Sequence, residues 1–593
     1  MNKFNAMVKT AKKKKPKRKK IVLTEQQKEQ NLQRKEIRDL MLNIGFSRFS
    51  KIDGKNFVYD GRTSELDDLF YLENILVIME YTIGDPSSHL LNKKIFYDKV
   101  NSDKLKFIDF LLEGNAFSSL KTSFEENILN NYSKREIQLV IVYASKKKIG
   151  DEHRNLVQNV CYLDYSIVKY FQVISKIIKK SAKYEFFDFL KLDFDKIGES
   201  IKRSSLTPTE QFQGHILPEE RSCFQAGFKI VTFYMDANAL LKRAYVLRND
   251  GWRNFGNVEL YQRLLISKKI KAMRKYLHEQ SRVFVNNIIV TLSSKHIKLY
   301  DKDKNLLTVD SSGCIKEADT KAQPALIEIE NKPNIIGIID GQHRSYAYHE
   351  GDDVYEETIQ KLRTIQNLLV TGILYPENIT TEARLRFEAK LFLEINATQQ
   401  GASSSLKQTI ENILNPNSST AIAKHIITKL NESGPLLDKF EEHWYESDKI
   451  KTASIISFGL KPLIKFSGSD SLFKLWNNSQ KEKLLEKEFN DQLLNEYKEF
   501  CVNEIRNLLI GFSANITKEN WAISRKNSTA ILSVTTINGL INCLRFLIEN
   551  NKTGDSNYYR KCFEKISGFN FKSFKSSQYR KMGESIYKEC FIE

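Results

Sequence analysis

Apolar positions along the chain fall into alternating helical and extended runs, and their order predicts most of the architecture. Thr24 opens the first helix: its hydroxyl can cap the end while Gln27 reaches back, and Leu32, Ile37 and Leu40 recur near helical spacing until Gly45. Extended runs follow at Asn56 to Tyr59, Leu69 to Leu72 and the apolar Ile75 to Met79, which leads into Glu80-Tyr81-Thr82. A helix is predicted from Ile95 to Leu112 and a further strand from Ile137 to Tyr143. Tyr165 to Ser181 reads as an amphipathic helix, and the polar stretch Lys202 to Arg221 reads as a linker.

A second series starts with a strand at Phe228 to Tyr234, and Asp236 caps a helix running through Tyr245. Tyr261-Gln262-Arg263 opens a basic helix to about Leu277, and Asn286 to Leu292 is a strand. The buried strand Asn334 to Ile339 leads into a helix through about Arg363, then a strand from Leu368 to Tyr375. The segment ending at Asn396 fits two patterns. Leu385, Phe387, Ala389, Leu391, Leu393 and Ile395 share one parity, but Ala383, Phe387, Leu391 and Ile395 lie four apart, and the Ala, Glu, Arg and Lys content favours helix. Beyond residue 401 the chain is mainly helical, with a buried helix predicted at Ile531 to Leu547. Trp444, Trp476 and Trp521 are isolated, as core tryptophans usually are.

This alternation defines an α/β (α+β) chain, read as a basic tail at 1–23, an α/β domain at 24–205, a second core at 206–400 and a helical part at 401–593. At 593 residues the chain exceeds one core. No apolar run long enough to span a membrane and no secretory signal is evident, so the expected location is cytoplasmic. The seven cysteines form no C-x-x-C pair and the histidines no H-E-x-x-H, which argues against a zinc site or disulfide scaffold. The net charge of +19 is uneven: residues 9–20 hold nine bases and no acid, leaving +10 elsewhere. Such a tail is expected to be disordered and to meet phosphates nonspecifically, or to serve only for solubility.

Two places carry candidate chemistry. Asp340-Gly341-Gln342-His343-Arg344 lies where a buried strand meets a helix; Gly341 permits the turn, helix-start N–H groups face an anion, and Arg344 offers a planar charged fork. Asp340, Arg344 and Asn396 can equally form a structural network. Glu65-Leu66-Asp67-Asp68 precedes Glu80, placing acids at adjacent strand ends.

The order helix, strands, helix, strand, with Asp67 and Glu80 so placed, resembles the restriction-endonuclease-like PD-(D/E)xK fold over residues 24–150. The resemblance implies Mg²⁺ held by Asp67 and Glu80, with Glu65 a third catalytic acid. Where the family carries its lysine this chain has Thr82. Either the lysine has moved to the next helix, where Lys93, Lys94 and Lys99 are candidates, or the domain only binds, or the acids are ordinary solvated residues.

Asp340 to Ala347, with Tyr261-Gln262-Arg263 before it and Phe392-x-x-Ile395-Asn396-x-x-Gln399 after it, resembles the DGQHR-domain family from about residue 206 to the Ser577 to Gly583 ending. That family includes the DndB-type proteins of DNA phosphorothioation systems and is distantly similar to the ParB/sulfiredoxin fold. The resemblance implies a nucleoside triphosphate or DNA phosphate at Asp340, Gly341, Gln342, His343, Arg344, Arg263, Asn396 and Gln399. Gln342 stands where sulfiredoxin has its cysteine, so thiol reduction is not expected. Together the resemblances imply a protein of a DNA-modification or anti-phage defence system, with DNA, nucleotide and other proteins of that system as partners. It would act as an Mg²⁺-dependent endonuclease, a nucleotide hydrolase, or a non-catalytic DNA-binding regulator.

Overall fold

The computed structural model describes residues 23–592 except 51, 114–116, 118–119, 199–200, 202–208, 249–250, 254–261, 311–313, 316–320, 398–403, 416, 486–489 and 524–528. The basic run at 9–20 therefore lies outside the described residues, as do Tyr261 and Gln399. The chain is mixed α/β and divides into two compact units, residues 1–42 with 46–168, and residues 43–45 with 169–593.

In the first unit, helix α1 (Glu25–Ile44) starts as its sequence implies: Gln27 N–H donates to Thr24 Oγ1 at 3.2 Å and Thr24 N–H to Gln27 Oε1 at 3.0 Å. Gly45 ends it with φ +111°. Strands β1 (Ser47–Arg48), β4 (Asp68–Leu72), β5 (Ile75–Thr82), β6 (Gln138–Ser145) and β7 (Cys161–Asp164) form one sheet in the order β1-β4-β5-β6-β7, beside a separate hairpin of β2 (Asn56–Tyr59) and β3 (Arg62–Glu65). β4 and β5 are antiparallel, whereas β5, β6 and β7 run parallel. Every residue of β5 is buried, which explains its unbroken apolar run. The single helix expected at 95–112 is instead two, α2 (Pro86–Ser102) and Lys104–Glu113. Asp103 breaks it by leaving helical backbone and accepting Lys106 N–H at 2.9 Å.

The second unit is built on an eight-stranded mixed sheet. Its strands are β8 (Thr209–Ile216), β9 (Lys229–Asp236), β10 (Ala244–Tyr245), β11 (Ile288–Ser293), β12 (Ile297–Tyr300), β13 (Gln323–Glu330), β14 (Ile336–Asp340) and β15 (Asn367–Tyr375), in the order β10-β14-β11-β15-β9-β8-β13-β12. Much of the polar stretch read as a linker is β8, paired along its whole length with β13. Only Phe212 and Ile216 of β8 are buried, so composition alone hid the strand. Asp236 does cap the next helix, accepting Ala239 N–H at 2.9 Å, but that helix stops at Arg243 and Tyr245 joins the sheet. The basic helix begins at Ser267 rather than at 261.

The largest difference follows Asp340. The helix there covers only Gln342–Tyr346, and a second one, Glu356–Ile365, starts after a turn. Two buried arginines hold the break: Arg274 Nη1 donates to Ala347 O at 3.0 Å and His349 O at 2.9 Å, and Arg363 Nη2 donates to His349 O at 2.7 Å. Carbonyls that would continue the helix are thereby satisfied from outside. Residues Thr381–Ala397 form the favoured helix. The C-terminal part packs helices including Ser419–Glu432, Asp491–Ser513, Val534–Glu549 and Tyr579–Phe591 around one apolar cluster. Trp476 and Trp521 belong to that cluster, while Trp444 is exposed.

Candidate functional site

The antiparallel register of β4 and β5, Asp68 opposite Met79, brings Asp67 beside the end of β5, where its Oδ2 accepts Tyr81 N–H at 2.9 Å. Glu80, within β5, is fully buried. Lys93 Nζ comes from α2 to 2.9 Å from Glu80 Oε2 and donates to Glu65 O, also at 2.9 Å. Lys94 and Lys99 turn elsewhere, to Asp98 and Asp60. His89, Lys93 and Tyr97 are spaced four apart, which puts them on one face of α2.

Burial pushes the Glu80 carboxyl up to about 8, with Asp67 and Glu65 adding to the rise and Lys93 opposing it. Burial also raises Asp67, against its bond from Tyr81 N–H and the charge of Arg34. Although Lys93 is close, neither Glu80 oxygen receives a directed hydrogen bond among the described residues. Asp67 Oδ1 is met by Arg34 from α1. Thr82 does not point an amine at these acids. Its side chain lies instead beside Tyr143, the register partner of Glu80 on β6, and Tyr143 Oη lies 2.9 Å from His89 Nδ1.

Among the described residues no group of three or more His, Cys, Asp or Glu is arranged to hold a metal ion. Two carboxylates, one with both oxygens buried and undirected, nevertheless suit Mg²⁺, which commonly takes one or two protein carboxylates and completes its shell with water and phosphate.

In the second unit a cavity of about 380 Å³ opens at the end of β14, lined by Gln262, Arg263, Ile266, Lys269, Met273, Ile339 to Arg344, Phe392 and Asn396. Residues named from three separated stretches of sequence thus share one wall. Gly341 has φ +95°, and a Cβ there would stand 2.7 Å from Ile288 Cδ1. Gln262 Nε2 donates to Ile339 O at 3.2 Å and Gln342 Nε2 to Arg263 O at 3.2 Å, which pins the turn to the segment before the basic helix. Gln342 Oε1 is buried and has no hydrogen-bond partner among the described residues.

Arg344 Nη2 donates to Asp340 Oδ2 at 3.0 Å and Asn287 O at 2.9 Å. His343 Nε2 accepts Ile266 N–H at 3.0 Å, and burial with nearby Lys269, Arg248 and Arg344 lowers its pKa to about 4, leaving the ring neutral. Asn396 Nδ2 donates to Phe392 O at 2.8 Å. Arg263, Lys269 and Arg344 against Asp340 give the cavity an excess of positive charge.

Sequence reasoning missed Lys269, His89 and Tyr143. Lys269 reaches the cavity only because the helix starts at Ser267; His89 had a sequence signal, its four-residue spacing from Lys93 on the predicted migration helix.

Comparison with family models, with curated proteins and with solved structures gave no match. No helix among the described residues is long and apolar enough to cross a membrane.

Proposed function

We propose that the first unit carries a divalent-cation-dependent DNA endonuclease centre of restriction-endonuclease-like type, in a protein of a DNA-modification or anti-phage defence system. The observation that supports this reading is Lys93 reaching Glu80 beside Asp67, with the lysine supplied by α2 instead of by position 82. Asp67 and Glu80 would hold Mg²⁺, which when bound neutralises phosphate charge and acidifies an attacking water. Lys93 supplies the fixed ammonium that orients that water and balances the buried acids. Arg34 keeps Asp67 in place until substrate arrives, and Glu65 adds negative charge at the rim of the site.

The second unit, in this proposal, is a DGQHR domain whose cavity binds a nucleotide or DNA phosphate. Arg263, Lys269 and Arg344 meet the phosphate oxygens, Asn396 offers an amide, and Gly341 lets the backbone approach. His343, neutral, serves as a hydrogen-bonding wall rather than a charge.

A second reading, a DNA-binding regulator without cleavage, is favoured by Thr82 and by the Arg34 contact on Asp67. Plasmid nicking with Mg²⁺ and nucleoside triphosphate hydrolysis, measured for the native chain, Asp67→Ala and Arg344→Ala, decide between them. The proposal expects nicking lost in Asp67→Ala and nucleotide binding weakened in Arg344→Ala. Absence of both activities in the native chain supports the regulator, and activity surviving both substitutions rejects the assigned sites.

A further inference from the structure

Tyr143 and His89 form a hydroxyl-to-imidazole chain alongside the nuclease-like centre that the proposed cleavage does not yet use. Tyr143 is fully buried on β6, in register with Glu80, and its oxygen sits 2.9 Å from His89 Nδ1 and 3.3 Å from Pro86 O. The Thr82 side chain lies beside the same phenol. The phenol has one hydrogen and can give it to Pro86 O or to Nδ1; we assign it to Nδ1, the shorter contact. A Nδ1 that accepts leaves the hydrogen of a neutral imidazole on Nε2.

His89 is half-buried, one helical turn before Lys93 on the same face, and its contact with Tyr143 is made through Nδ1, on the other side of the ring from Nε2. Burial and the charge of Lys93 keep its pKa below the ordinary histidine value, which favours the neutral ring. Position 82, where the restriction-endonuclease-like resemblance would put a lysine, lies beside Tyr143 instead, and the ammonium comes from the helix that carries the imidazole.

Resting on the endonuclease reading, we propose that His89 contacts the substrate, donating from Nε2 to a non-bridging oxygen of the scissile phosphodiester, and that Tyr143 is the residue that positions it. The ligand class is a phosphate diester anion: a neutral N–H next to a fixed ammonium binds such an oxygen without adding a second full charge to the buried pair of Lys93 and Glu80.

The test is plasmid cleavage by the full chain with Mg²⁺, comparing native protein with His89→Ala, His89→Gln, Tyr143→Phe, the His89→Ala/Tyr143→Phe pair and Asp67→Ala, each checked for native thermal unfolding. A lost hydrogen bond to a charged oxygen lowers the turnover rate on the order of tenfold to a hundredfold in His89→Ala. His89→Gln keeps an N–H donor and should retain more activity than His89→Ala. Tyr143→Phe should lose less than His89→Ala, and the pair should be no slower than His89→Ala alone, because Tyr143 acts through the imidazole. Mn²⁺ binding, followed by calorimetry, should be equal in native and Tyr143→Phe protein.

Native rates in both single variants, or losses that multiply in the pair, overturn the role of this dyad while leaving the centre intact. Loss of Mn²⁺ binding in Tyr143→Phe overturns it as well, by making Tyr143 a support of the acids. A native chain that cleaves nothing removes the endonuclease reading itself and the inference with it.

Discussion

Lys93 stands 2.9 Å from Glu80 across the turn joining β5 to α2, so a fully buried carboxylate and its ammonium come from different elements. The same helix face carries His89, whose partner Tyr143 lies on β6 beside the Thr82 side chain. An amine at position 82 would have to enter a space already crossed by that chain. A lysine at position 82, as the restriction-endonuclease-like resemblance implies, is therefore expected not to replace Lys93: in the proposed cleavage, Lys93→Ala/Thr82→Lys should cut plasmid no faster than Lys93→Ala. Recovery of native turnover would show that position 82 faces the reacting phosphate after all.

Glu80→Gln separates stability from activity. Without metal, burial holds Glu80 protonated up to about pH 8, so the folded state binds a proton that the unfolded chain releases above its ordinary glutamate value. Stability contributed by this group is full at low pH and is lost as pH rises through about 8. Glutamine mimics the neutral form, so the variant should unfold at the same or higher temperature than the native chain at pH 9 while losing Mg²⁺-dependent cleavage. Calorimetric scans at pH 6 and pH 9 would check this, and a lower unfolding temperature at pH 9 would count against it.

Gly341 is under steric demand from two directions. Its φ of +95° disfavours any side chain, and a Cβ would press on Ile288 and on Arg344 at 3.1 Å. Gly341→Ala should cost about 1–3 kcal/mol by urea denaturation and displace Arg344 from Asn287 O and Asp340. Nucleotide affinity should fall with it, whereas Asp67-dependent cleavage chemistry has no direct reason to change.

His343 gives the second unit a pH dependence of opposite sign to that of Glu80. Its folded pKa of about 4 lies below the unfolded value of about 6.5, so the unfolded chain binds more protons between those limits. Stability is fully present above about pH 6.5 and falls as pH drops toward 4. His349, lowered to about 3 mainly by burial and by Arg274, acts in the same direction. His343→Gln should flatten the loss of stability between pH 6.5 and 4 without abolishing it, as read from denaturant midpoints across that range. An unchanged slope would mean that the ring is already accessible to protons in the folded protein.

Local signals were legible in the chain and tertiary ones were not. The reciprocal Thr24 and Gln27 bonds, the apolar β5 run and the Asp236 cap depend on neighbours in sequence, and each stands where the pattern put it. The strand at Thr209–Ile216 was missed because half of its residues are polar and face outward, so its pairing with β13 decides it. The long helix expected after Asp340 ends at Tyr346 because Arg274 and Arg363, distant in sequence, take the carbonyls of the turn. That Lys93, rather than Lys94 or Lys99, reaches Glu80 needed the three-dimensional placement of α2. Arg263, the Asp340 to Arg344 turn and Asn396 were named through the DGQHR-domain resemblance, and they line one cavity.

The most direct measurement is the rate of Mg²⁺-dependent plasmid cleavage by the full chain and by Lys93→Ala. Removing the ammonium leaves a Glu80 that burial already holds protonated below about pH 8, not an orphaned charge, so the variant should stay folded while its rate drops on the order of a hundredfold. A folded Lys93→Ala chain that cuts at the native rate would contradict the assignment of this centre.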